Sequence, residues 1–212
     1  MTGDAVRGGA VHGLILAAGE GRRFGGGKLL AVLEGRPLLE HVLTSAAACL
    51  GAGTLAGVTV VLPGGPATPA AYGTALASLA ARSGAGIVVN DDPPAGLSRS
   101  LRLGLAAADA AGSAAAVVFL ADQPRVRPEA VAAVVGAWRS GAGPVVVPRY
   151  GGAPGNPVLL DRSVWFLAAE LSGDAGIAAV VRSRAGIAAY VELAGANPDV
   201  DTPADLAALA RG

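Results

Sequence analysis

The chemistry of this chain is most concentrated from Leu16 to Lys28, which reads Leu-Ala-Ala-Gly-Glu-Gly-Arg-Arg-Phe-Gly-Gly-Gly-Lys. An apolar run ends there in five glycines, two adjacent arginines and a lysine. Glycine allows tight turns, so successive backbone N–H groups can face one ligand and cradle phosphate oxygens. Arg23 and Lys28 add mobile positive charge to that cradle, as a triphosphate requires. Two commoner phosphate loops are excluded. G-x-x-x-x-G-K-[ST] fails at Arg22 and Leu29, and G-x-G-x-x-G fails at Phe24. A glycine loop with no ligand is the plainer alternative.

Three aspartates accompany the loop. Asp122 closes Val117-Val118-Phe119-Leu120-Ala121-Asp122-Gln123-Pro124, a hydrophobic strand ending in a carboxylate. A hard cation such as Mg²⁺ takes one or two carboxylates together with phosphate oxygens and water. A cap on the turn into the next helix is the alternative reading of Asp122. Asp201, in Pro198-Asp199-Val200-Asp201-Thr202-Pro203, is a second candidate, and Asp174, in Ser172-Gly173-Asp174-Ala175-Gly176, a third; either could also be a helix cap. His12 and His41 read as surface or packing residues. Trp138, Trp165 and Phe166 read as core or oligomer contacts.

These groups need a scaffold, and the apolar pattern supplies one. Short Val/Ile/Leu runs at 13–17, 58–62, 87–90, 116–120, 145–148 and 187–191 suit strands covered on both faces. Alanine-rich segments at 37–49, 69–81, 98–108, 128–138, 162–171, 176–183 and 203–210 suit helices between them. Pro37, Pro128 and Pro203 each fit a first helical turn, where a missing N–H costs nothing. The expected fold is α/β, one domain with a mostly parallel, Rossmann-like sheet flanked by helices. Such sheets bind ligands at the carboxyl ends of their strands, which points to the loops after Ala17, Asn90 and Leu120. Residues 1–10 read as an N-terminal tail and 11–212 as the domain, with 11–148 binding nucleotide and 149–212 binding acceptor across the loop-like 151–155.

Composition narrows the remaining classes. A chain of 212 residues, 52% hydrophobic, is long enough for a core and too apolar to stay disordered. Sixteen basic and sixteen acidic residues cancel, which argues against nonspecific attraction to nucleic acid or an anionic membrane. The uncharged stretch from 42 to 81 is broken by glycines and prolines and offers no membrane span. Cys49 is the single cysteine, so no internal disulfide forms, and with no leader segment visible the expected compartment is the cytoplasm.

The ordered motifs resemble the MobA-like nucleotidyltransferases. Leu16 to Gly19, Gly21, Arg23, Gly25 and Lys28 match the family's first loop. They are followed by Gly96-Leu97-Ser98-Arg99-Ser100-Leu101, Leu120-Ala121-Asp122-Gln123-Pro124, Gly155-Asn156-Pro157-Val158, Gly173-Asp174-Ala175-Gly176 and Asp199-Val200-Asp201-Thr202-Pro203. The resemblance covers nearly the whole chain and is nearest to the molybdenum cofactor cytidylyltransferases. It implies a glycosyltransferase-A-like fold and transfer of CMP from CTP to molybdopterin, with a molybdenum hydroxylase as a possible partner. It also implies roles: Leu16, Ala17, Ala18, Gly19, Gly21, Gly96 and Ser100 on the nucleotide, Arg23 and Lys28 on the triphosphate. Asp122 and Asp201 would hold Mg²⁺, and Asn156 and Asp174 would meet the acceptor. Leu-Ala-Ala-Gly, rather than the Leu-Ala-Gly-Gly of guanylyl-transferring relatives, favours CTP over GTP. Three positions depart from that branch. Asn156 replaces its usual histidine, Arg99 interrupts its Ser-Ser-Ser, and the arginine expected just after Gly-Asp-x-Gly is absent, Arg182 being the next basic residue. Rival readings are another phosphorylated acceptor, of sugar, alcohol or phospholactate type, or an idle cofactor carrier or chaperone for a molybdoenzyme.

Overall fold

The structure is a computed structural model that describes residues 7–19, 21–184 and 186–211. Residues 1–6 of the expected tail and Glu20 of the glycine loop lie outside the described residues. In chain order the first half comprises β1 (Val11–Leu16), a small hairpin β2 (Val32–Leu33) and β3 (Arg36–Pro37), α1 (Leu38–Gly51), β4 (Gly57–Pro63), α2 (Ala70–Arg82) and β5 (Gly86–Asn90). Then follow α3 (Leu97–Ala110), β6 (Ala115–Leu120), α4 (Pro128–Arg139), β7 (Val145–Tyr150), β8 (Ala153–Pro154) and β9 (Val158–Asp161). A 3₁₀ helix (Arg162–Glu170), α5 (Ile177–Ser183), β10 (Ala188–Leu193) and α6 (Pro203–Leu209) complete it.

The main sheet has the order β10-β7-β9-β6-β1-β4-β5, with β8 added to β7. Pairing is parallel from β6 through β1 and β4 to β5, and between β10 and β7. β9 runs antiparallel between β6 and β7, and β8 lies antiparallel along β7. All six residues of β1 are buried, because alternate side chains serve opposite faces. Ile15 and Ala17 join Val60, Phe119 and Trp138 on the side of α1, α2 and α4. Leu14 and Leu16 join Leu101, Leu105, Val118 and Leu160 on the other. On α3 the helical spacing of Leu97, Leu101, Leu105 and Ala108 supplies one stripe to that second core.

Departures from the expected elements are local. β9 was not expected, since three apolar residues behind Pro157 merge with the helical pattern that follows. The segment expected as a helix at 162–171 is a 3₁₀ helix opened by Asp161, whose side chain accepts from Ser163 N. The segment 151–155, expected as a loop, holds the Gly151-Gly152 turn of the β7–β8 hairpin and β8 itself. Pro37 stands just before α1 rather than in its first turn. Residues after the described start are not a free tail: Arg7 N donates to Arg139 O at 2.9 Å and its guanidinium meets Asp161 Oδ2 at 2.6 Å. Trp138 is buried in the core on the α1, α2 and α4 side, Trp165 packs partly buried against the core on the other side, and Phe166 is 64% exposed. Among the described residues no helix is long and apolar enough to cross a membrane.

Candidate nucleotide and acceptor site

Register explains why the glycine loop and Asp122 meet. β1 and β6 are parallel neighbours with Leu16 beside Leu120, and Ala121 N donates to Leu16 O at 3.1 Å. The two chains therefore leave the sheet side by side. Beyond β1, Gly21, Gly25, Gly26 and Gly27 take φ values of 59°, 89°, 94° and 65°, a left-handed region that side-chain-bearing residues disfavour. That run folds the loop back on itself through two single-turn 3₁₀ segments, Arg22–Phe24 and Lys28–Leu30. Gly21 has a second constraint, because a Cβ there would stand 3.2 Å from the Lys28 side chain.

Lys28 is the centre of the resulting charge cluster. Its Nζ lies 2.6 Å from Asp122 Oδ2 and 3.5 Å from Asp201 Oδ1, while Arg23 meets Asp201 Oδ2 at 3.0 Å. Val200, fully buried against Leu33 and Leu38, donates its N–H to Asp122 O at 2.9 Å and so pins the Asp201 segment to the sheet edge. The capping alternative for Asp201 does not hold. Thr202 caps α6 in a capping box with Asp205, which leaves the Asp201 carboxylate to face the two cations. Asp199 joins the cluster, with no local signal beyond its place two residues before Asp201. Burial first, then the charges of Asp122 and Asp201, push its carboxyl above the usual range. Gln123 Nε2 donates to it at 2.8 Å.

A cavity of about 540 Å³ opens over this cluster. Ala18, Gly19, Gly21, Arg23, Lys28, Gly96, Ser100, Asp122, Asp174 and Asp201 all line it. Ala17 does not, since its N–H is bonded to Val61 O at 2.9 Å and its side chain is in the core. A second cavity of about 510 Å³ shares Leu97 and Asp174 with the first. It is lined by Leu16 and by Asn156, whose carbonyl accepts from Tyr150 Oη at 3.0 Å and Asn197 Nδ2 at 3.2 Å. Arg182, carried by α5, also lines it. Arg182 thus stands on the cavity wall further along the chain than the arginine of the resembling branch. Neither histidine approaches: His12 Nε2 pairs with Thr59 Oγ1 at 2.9 Å, and His41 Nε2 with Leu33 O at 2.9 Å.

The entry to α3 and the Gly173–Asp174 turn are tied together beside these cavities. Ser98 N donates to Gly173 O at 3.0 Å, and Gly96, with φ 86° and ψ −175°, rests against the Gly173–Asp174 backbone. Among the described residues no cluster of three or more His, Cys, Asp or Glu could hold a metal alone. Asp122 and Asp201 form a two-carboxylate pair already bridged by a cation, Lys28. That donor set fits a hard divalent ion whose remaining ligands are phosphate oxygens and water.

Comparison with known proteins gives concordant results. A family model described as the MobA-like NTP transferase domain matches residues 13–189. The crystal structure of Rv0371c from Mycobacterium tuberculosis H37Rv is similar with 27% identity and a TM-score of 0.81, over 96% of this chain and 99% of that one. A complex of the same protein with manganese aligns at 28% identity and TM-score 0.77, over 96% and 99%. A homolog of Rv0371c from Mycobacterium sp. strain JC1 aligns at 30% identity and TM-score 0.76, over 95% and 97%. A search of the curated proteins gives no match.

Proposed function

Because the chain belongs to the MobA-like NTP transferase family and is a nucleotidyltransferase, we propose that it transfers CMP from CTP to the terminal phosphate of a molybdopterin-type acceptor. The observation carrying this reading is Lys28 between Asp122 and Asp201 at the mouth of the glycine loop, with a second cavity adjoining. An acceptor phosphate oxygen attacks the α-phosphorus of CTP in line, the α–β phosphoanhydride bond breaks, and pyrophosphate leaves. No covalent enzyme intermediate is required.

The chain's own contribution is positioning and electrostatics. The left-handed glycines shape a backbone cradle for the phosphates, and Arg23 and Lys28 offset the charge that develops on the leaving pyrophosphate. Asp122 and Asp201 would hold Mg²⁺, which supplies Lewis-acid neutralisation of phosphoryl oxygens; the manganese complex of Rv0371c supports a divalent ion here. Gly96 and Ser100 form the wall nearest the nucleoside, and Asp174 stands where the two cavities join. Asn156 and Arg182 face the acceptor side.

A second reading keeps the chemistry and changes the acceptor. It is favoured by the second cavity itself, whose walls are chiefly leucine, valine and alanine, with Asn156 in place of histidine. Pyrophosphate release from CTP, GTP and ATP, each with molybdopterin, a sugar phosphate, an alcohol phosphate and phospholactate, separates the readings. Release with CTP and molybdopterin alone supports the first. Release with another acceptor moves the assignment to that acceptor, and no release with any combination favours a carrier.

A further inference from the structure

Asn90 ends β5 with no exposed surface, and its amide is fixed by three partners. Its Oδ1 accepts from Arg99 Nε at 2.9 Å and from the Asp92 backbone N–H at 3.1 Å. Two donors on one atom settle the orientation, since the flipped amide would set N–H against N–H. The Nδ2 group therefore faces Ser100, 3.0 Å from its Oγ. An amide NH₂ only donates, so the Ser100 hydroxyl must accept, and its own proton is left for another acceptor. Among the described residues that hydroxyl has Asn90 as its one hydrogen-bond partner. Ser100 is 3% exposed and lines the nucleotide cavity beside Gly96 and Pro94. Arg99 is itself anchored by an ion pair with Asp91.

We infer that Arg99 and Asn90 set Ser100 as a dedicated hydrogen-bond donor to a lone-pair acceptor on the nucleoside, a pyrimidine carbonyl or a ribose oxygen. Arg99, which breaks the serine run of the resembling branch, is then a positioning residue acting through Asn90. The inference rests on the reading of the larger cavity as a nucleotide site.

Calorimetric titration with CTP, GTP and tripolyphosphate tests it. Ser100→Ala is expected to weaken CTP binding about five- to tenfold, the usual worth of one neutral hydrogen bond, and to leave tripolyphosphate unchanged. Asn90→Asp keeps the shape but presents only acceptors, so Ser100 turns its proton inward and the same loss follows. Adding Ser100→Ala to Asn90→Asp then costs nothing more. Tripolyphosphate measures any repulsion by the new carboxylate, so that the two effects separate. Loss on CTP alone places the acceptor on cytosine, and equal loss on GTP places it on ribose. If Asn90→Asp does not fold, Arg99→Met takes its place, with a smaller loss because the Asp92 N–H still holds Oδ1, and that loss vanishes in the Ser100→Ala background. Unchanged CTP and GTP binding in Ser100→Ala, or losses that multiply in the double variant, overturn the relay alone. Wild-type protein that binds no NTP overturns the site reading and the relay with it.

Discussion

Between Asp122 and Asp201 an ammonium provides the neutralisation that the proposed divalent ion would provide. Lys28 has a side chain only 10% exposed, so its charge acts on both carboxylates with little screening. Two outcomes follow. Asp122→Ala is expected to lower turnover by about a hundredfold or more, the usual effect of losing one preorganised electrostatic group. Pyrophosphate release at saturating CTP measures this, and near-normal rates would remove Asp122 from the mechanism. Lys28→Met leaves Asp122, Asp199 and Asp201 with less counter-charge, so Mg²⁺ without nucleotide should raise its melting temperature more than it raises the wild type's. Equal shifts would mean that the ion binds elsewhere. Most of this site was legible in the sequence, because Arg23, Lys28, Asp122 and Asp201 have charges that must be neutralised and stand in recognisable loops. Asp199 and Gln123 were not singled out, because their part depends on a buried contact across 76 positions that no local pattern reveals.

At the scale of elements, what matters is how loops from distant parts of the chain are joined. Gly96 has φ 86° and ψ −175°, a region open essentially to glycine alone. A Cβ there would also stand 2.8 Å from Asp174 N. Gly96→Ala should therefore push the α3 entry away from the Gly173–Asp174 turn, which borders both cavities. KM is expected to rise for CTP and acceptor together while the core persists; a change in one alone would show that the two loops move independently. Thr202 does similar service for Asp201. Its hydroxyl accepts from Asp205 N at 3.2 Å, and Thr202→Ala should cost about 1 kcal/mol in urea unfolding. Turnover should fall as well, since the cap fixes the residue beside Asp201, and unchanged turnover would separate the cap from the site. The longer strands β1, β4, β5, β6, β7 and β10 and most helices were legible here because continuous Val/Ile/Leu runs and proline-led alanine segments differ plainly in period, whereas the two-residue strands β2, β3 and β8 leave no pattern. β9 escaped because Val158–Asp161 is too short to show alternation. Its antiparallel place between β6 and β7 is decided by tertiary packing.

For the molecule as a whole, the site is only as firm as the central strand that projects its loop. β1 is buried from end to end, yet it carries His12, 7% exposed and paired with the neutral Thr59 hydroxyl. Burial lowers its imidazole below the ordinary value of 6.5. The folded protein thus keeps His12 neutral at pH values where the unfolded chain has begun to bind a proton. Unfolding takes up that proton, so stability declines as pH falls below about 6.5 and levels off once the lowered folded value is passed. Asp161 opens a second window at lower pH. Burial raises its carboxyl, but hydrogen bonds from Ser163, Trp138 and Arg7 outweigh this and hold it below 3.8. The stability it contributes is present above that value and is lost as pH falls through the lowered one. Urea midpoints of the wild type and His12→Gln from pH 8 to pH 5 separate the two windows, because Asp161 is ionised throughout that range. The wild type should lose stability over this interval more steeply than the variant. Parallel curves would show that protonating His12 costs the folded sheet nothing.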